Sequence, residues 1–208
     1  MMYLPDNIKA EAKRIFRNNY PLFLESCRIF NPGTGGDCLT LGDYLADMMV
    51  GVNMTLDDYF DTNRVQFVGY DMEKLKTAFL EHTISSGNPP VSSKGIYSLI
   101  WVYIENLPDC ERLWKEEAYH TFFEKTFAGF ERELKLGETY GFRDAWIIKM
   151  QTLFPFLKLR DALMSSTSPN VLQTIHYAWQ IIKDDSTDFE QDGIQHNINI
   201  WLGLARKF

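Results

Sequence analysis

Between Pro108 and Gly137 the chain carries Leu113, Tyr119, Phe122, Phe123, Phe127 and Phe130, spaced mostly by three or four residues. That is the repeat of one face of an α-helix, and it fixes a long amphipathic helix from Asp109 to Leu136 that Gly137 stops. Similar patterns recur along the chain. Ile8, Ala12, Ile15 and Phe16 mark a helix between Asp6 and Asn19, and Pro21 fits the first turn of a second, through Phe30. Thr40-Leu-Gly-Asp43 reads as a capping box opening a helix through about Val50, and Thr55-Leu-Asp-Asp58 as another such start. Leu75, Ala78, Phe79 and His82 share a face between Asp71 and Thr83, before the breaker Ser85-Ser-Gly-Asn-Pro-Pro90. Ser93 to Leu107 is apolar nearly all round, which predicts the central helix and leaves a strand as the competing reading. Thr139 to Met164 makes one or two helices around Pro155, Ser168-Pro169 opens a helix to about Lys183, and a last helix runs from near Thr187 to Lys207.

The hairpin dipeptides Asn-Gly and Asp-Gly occur only at Asp192-Gly193, without flanking alternation. The expectation is an all-α bundle of eight to eleven helices forming one domain over 1–208, with a short strand admitted near 64–70. A chain of 208 residues can bury roughly 70% of its unfolded surface. Its 45% hydrophobic and 24% charged residues are ordinary globular composition. The expected core includes Phe79, Ile100, Trp101, Ile104, Phe123, Phe127, Trp146 and Trp179.

Cys27, Cys38 and Cys110 form neither a CxxC nor a zinc-type pair and read as reduced core thiols. Met1 to Tyr20 interleaves Lys9, Lys13, Arg14 and Arg17 with polar residues, unlike an export signal. The most apolar window, Ile96 to Ile104, is too short for a bilayer. A cytoplasmic protein away from membranes is therefore expected. With no Lys/Arg stripe interleaved with aromatics, direct nucleic-acid binding is not expected either.

Charge is distributed unevenly. Ile29 to Asn63 holds Asp37, Asp43, Asp47, Asp57, Asp58 and Asp61 without one Lys or Arg. Asp184 to Ala205 holds Asp184, Asp185, Asp188, Glu190 and Asp192, again without a base. Eleven acids in two blocks, against a net charge of −7, leave the rest of the chain net positive. Clustered like charge is tolerated where water, a metal or a cationic partner screens it, so these carboxylates are expected to be exposed.

Each block contains a DDxxD: Asp57-Asp58-Tyr-Phe-Asp61 and Asp184-Asp185-Ser-Thr-Asp188. On a helix, positions i and i+4 share a face, so Asp57 with Asp61 and Asp184 with Asp188 could jointly ligate Mg²⁺, a hard cation that accepts carboxylates and substrate phosphates. The plainer reading of the first motif is a helix start, with Thr55 as cap and acids in the first turn; that of the second is a solvated turn. The pair resembles the aspartate motifs of α-helical isoprenoid diphosphate synthases and terpenoid synthases, and Ala178-Trp-Gln-Ile-Ile-Lys-Asp184 loosely echoes the helix that carries their second motif. That resemblance implies Mg²⁺ held by Asp57, Asp61, Asp184 and Asp188, and a diphosphate substrate.

Glu117-Ala-Tyr-His120 is half of a di-iron ligand set, without its second half, and reads more simply as a surface pair. Gly33-Thr-Gly-Gly36 is not a P-loop, and GxSxG and HExxH are absent. Two functions follow as expectations. The first is an acidic interaction module of inhibitor, immunity or regulatory type, without a cofactor, that meets a basic protein through Asp43, Asp47, Asp57, Asp58, Asp61, Asp184, Asp185, Asp188 and Glu190. The alternative is a Mg²⁺-dependent enzyme acting on a diphosphate ester.

Overall fold

The computed structural model describes residues 4–30, 40–62, 91–136, 140–164, 171–195 and 198–205. These form an all-α multi-helix bundle, with no strand among the described residues. The helices are α1 (Asp6–Phe16), α2 (Tyr20–Phe30), α3 (Leu41–Thr62), α4 (Val91–Glu105), α5 (Asp109–Leu136), α6 (Phe142–Leu163), α7 (Val171–Thr187), α8 (Phe189–Gln195) and α9 (Ile200–Ala205); a 3₁₀ turn, Arg17–Asn19, joins α1 to α2. The helix expected over Asp71 to Thr83, the strand near 64–70, Phe79 and Cys38 lie outside the described residues.

α4 is a helix and is central. Ile96, Tyr97, Leu99, Ile100 and Ile104 are buried along it. The α5 aromatics pack on α4, Tyr97 standing 4.9 Å edge-on from Phe123 and 5.6 Å from Phe122, while the Tyr119 hydroxyl donates to the Tyr97 carbonyl at 3.1 Å. Such tilted pairs add to area burial because ring edge meets ring face.

α3 begins where its capping box predicts. The Thr40 N–H and hydroxyl both donate to Asp43 Oδ2 at 2.8 Å, and the Asp43 N–H returns a bond to Thr40 Oγ1 at 3.2 Å. Thr55 opens no new helix, because α3 continues through Thr62. A capping motif starts a helix where the backbone would otherwise be unpaired; inside a continuing helix the main-chain bonds are already made. α6 likewise continues through Pro155 as one helix.

Three contacts set the directions of the helices that matter for function. Gly42 in the first turn of α3 sits against the far end of α6, where an added Cβ would collide with the Leu163 carbonyl oxygen and lie 2.9 Å from Tyr103 Oη. α6 meets α7 through Lys149 with Asp185 at one level and Phe156 with Tyr177 at another. Both neighbours therefore run antiparallel to α6, and α3 and α7 run in the same direction on either side of it.

Ile100, Ile104, Phe123 and Phe127 are buried as expected, and Trp101 and Trp146 are half-buried against the core. Trp179 is not a core residue: it is 60% exposed. Tyr177, Ala178 and Ile181 pack against the core, and a residue two positions from Tyr177 is turned about 200° away from it on a helix. Nor is Cys110 a core thiol, since it is exposed in the first turn of α5, whereas Cys27 is buried. In place of one last helix, α8 and α9 occur as two short ones, with Tyr140, Ala145, Ile148, Ile198 and Ile200 forming a second small core beneath them.

Candidate functional site

Several acids that the sequence places on the surface are structural. Asp43 is buried at the start of α3, with its carboxylate used by Thr40. Asp185 is 2% exposed; Lys149 Nζ lies 3.2 Å from one of its oxygens, and the Ile200 N–H donates to the other at 2.7 Å. Burial raises its pKa, and Lys149 and the Ile200 N–H only partly offset this. Asp192, also buried, accepts from Asn199 Nδ2 at 2.7 Å, and the same amide donates to the Asp185 carbonyl at 2.6 Å. The expectation of broadly exposed acidic blocks is thus corrected at Asp43, Asp185 and Asp192: Asp43 is used by its own capping box, Asp192 by Asn199 seven residues on, and Asp185 by Lys149 of a helix distant in sequence. Asp47 and Asp188 are half-buried, whereas Asp184 and Glu190 are exposed. Asp57, Asp58 and Asp61 belong to the C-terminal turns of α3, and their side chains lie outside the described residues.

Asn199 organises this corner. Its Oδ1 caps α9 by accepting the Trp201 and Leu202 N–H groups at 2.9 and 3.2 Å. The Asn199 N–H donates to Tyr140 Oη at 2.9 Å, and the Ile198 N–H donates to buried Glu133 at 3.0 Å.

Beside it, α3, α5, α6 and α7 leave a cleft of about 520 Å³, within the range of small-molecule sites. Thr126 and Phe130 of α5 with Leu153 and Phe156 of α6 are buried lining residues and form its floor. Val50 and Asn53 line it from α3, and the exposed His176, Gln180, Lys183, Asp184 and Thr187 of α7 form its rim. Of the acids singled out in the sequence, Asp184 is the one among the described lining residues. The sequence gives no sign of Thr126, Lys149 or Asn53, whose types are ordinary on helices and whose convergence is a result of packing.

The outer side of α7 carries Ile175 and Trp179, 59% and 60% exposed and one turn apart. Partly exposed Trp201 adjoins it, with its indole N–H donating to the Ile182 carbonyl at 3.2 Å. Glu117 and His120 do not act together: Glu117 pairs with Lys158 at 3.2 Å, and His120 lies edge-on to Trp101 at 5.2 Å with Glu116 4.0 Å from its Nε2. No group of three His, Cys, Asp or Glu side chains among the described residues is placed to hold a metal. No helix among them is long and apolar enough to cross a membrane.

Comparison with protein-family models, with curated proteins and with solved structures finds no match to this chain.

Proposed function

We propose that the chain is an interaction protein of the inhibitor, immunity or regulatory kind, which docks a basic partner through the outer side of α7 and the adjoining α8. The observation that carries this reading is the exposed pair Ile175 and Trp179 on the outer side of α7, followed by exposed Glu190 on α8; exposed Asp184 stands on the cleft side of the same helix. Large apolar residues set among charges mark binding surfaces, and a tryptophan is among the commonest energetic anchors. The acids attract a cationic surface and orient it before the apolar contacts close. Asp57, Asp58 and Asp61, in the last turns of α3, are further acids under the same reading. A photo-crosslinker at position 179, used in the source cells, captures the partner, and titration with that partner tests the reading. Trp179→Ala is expected to weaken binding at least tenfold with the fold intact, and Asp184→Asn with Glu190→Gln to slow association and flatten its salt dependence. Unchanged affinity in both variants would reject this surface.

The alternative, a Mg²⁺-dependent enzyme acting on a diphosphate ester, keeps one supporting observation. Asp184 lines the cleft opposite Asn53 of α3, and positions 57 and 61 follow Asn53 by four and eight residues along that helix. Under this reading Asp57, Asp61, Asp184 and Asp188 hold the ion, while Asp185 is committed to Lys149 and Ile200. Thermal melting with millimolar Mg²⁺ and inorganic diphosphate tests it. A rise in melting temperature that Asp57→Asn and Asp184→Asn each remove is the expected result, and no rise in the wild type counts against it.

A further inference from the structure

Lys115, in the second turn of α5, is only 6% exposed. Other lysines of the bundle lie nearer to solvent and face an acid: Lys9 meets Asp6, Lys125 meets Glu124, and Lys135 meets Glu131. Lys115 Nζ makes no ion pair or hydrogen bond among the described residues; what it meets is the ring of Trp114, 5.2 Å away. Its tip nonetheless reaches water: unlike Arg112 Nε, which has no hydrogen-bond partner and is closed off from solvent, Lys115 Nζ is not sealed. A buried ammonium without a counter-ion is costly, and a lysine relieves that cost by releasing its proton. Burial lowers the pKa of Lys115 below the ordinary 10.5, and Glu111 and Asp43 only partly offset this. Glu111 is exposed one turn back on α5, and Asp43 of α3 already accepts from Thr40. The same two acids, with Glu11 of α1, bear on Tyr103 of α4, whose pKa burial pushes up to about 12, so its hydroxyl stays neutral. What remains is an amine with a free lone pair beside a half-exposed tryptophan.

We propose that Lys115 is a covalent site for small aromatic aldehydes: Nζ attacks the carbonyl carbon while the aldehyde's ring lies against Trp114, and the resulting carbinolamine loses water to leave an imine. Both protons of the amine leave with the carbonyl oxygen, so the step needs neither oxidant nor reductant. The site uses no residue of α7 or of the cleft, and it stands apart from the docking surface proposed above. Trace acetic anhydride, added to the full chain from about pH 6 to 10, reports the free amine at each lysine by peptide mass spectrometry. Near neutral pH Lys115 acetylates faster than exposed Lys125 and Lys135, by about threefold or more, and with a lower midpoint. Glu111→Gln, which removes a charge that favours the ammonium, moves that midpoint lower still. Benzaldehyde with cyanoborohydride, which reduces the imine to a stable benzylamine, marks Lys115 ahead of the same two lysines. Trp114→Ala, an exposed change, slows labelling of Lys115 by benzaldehyde but not by acetaldehyde. Acetylation of Lys115 no faster than that of Lys125 and Lys135, the result for an alkyl stem that only covers Trp114, overturns the proposal. So does benzaldehyde labelling that spares Lys115, or labelling there that Trp114→Ala leaves unchanged.

Discussion

Asp185 illustrates how one side chain can contradict its own sequence neighbourhood. It lies in a base-free stretch, yet its counter-charge is Lys149 on α6. Desolvation leaves its carboxyl titrating above the ordinary 3.8, so the folded state holds the proton more tightly than the unfolded chain does. Stability from this group is therefore greatest below the unfolded value and is lost as pH rises through the folded one. Asp185→Asn, whose amide oxygen can still accept the Ile200 N–H, is expected to flatten the fall in urea midpoint as pH rises above the ordinary carboxylate value; an unaltered pH profile would show that the group titrates normally. Counting charges along the chain could not find this pair, because it counts neighbours in sequence and ion pairs form between neighbours in space. Asp43 was legible as a cap from Thr40-Leu-Gly-Asp43, and the same cap removes it from any partner-binding surface.

Helices were legible where punctuation and period agree. Pro108 and Gly137 bracket α5, and the capping box starts α3. Where a boundary depends on a side chain reaching across the fold, the sequence is silent: the division into α8 and α9 rests on Asn199 capping one helix while its amide bonds Asp185 and Asp192. Asn199→Ala removes a cap and takes one hydrogen-bond donor from buried Asp192, at a cost of about 1 to 3 kcal/mol. Hydrogen exchange should then accelerate in α9 well before α5. Gly42→Ala acts at the other end of the bundle. Its Cβ meets backbone, which cannot rotate away, so α3 and α6 must separate and about 1 to 3 kcal/mol is lost in chemical denaturation.

At the scale of the molecule, the central position of α4 was legible because an apolar surface all round a helix has only the interior to occupy. Ile100→Ala is expected to cost about 2 to 5 kcal/mol, and a loss below about half a kilocalorie would mean that Ile100 does not pack as described. The cleft was not legible, since a concavity arises from four helices failing to meet and no one of them encodes it. Nor was the exposure of Trp179, for composition reports that a tryptophan exists and not which way its helix is rolled. Most contacts in a helical bundle are local and form early, but the bonds from Ile198 to Glu133 and from Asn199 to Tyr140 close loops of 65 and 59 residues. Loop closure on that scale is entropically costly, so the segment 198–205 docks late and detaches first. A protease meeting the native protein would cut there, at a rate set by how often the segment opens, and the ionisation of Asp185 makes that rate a function of acidity.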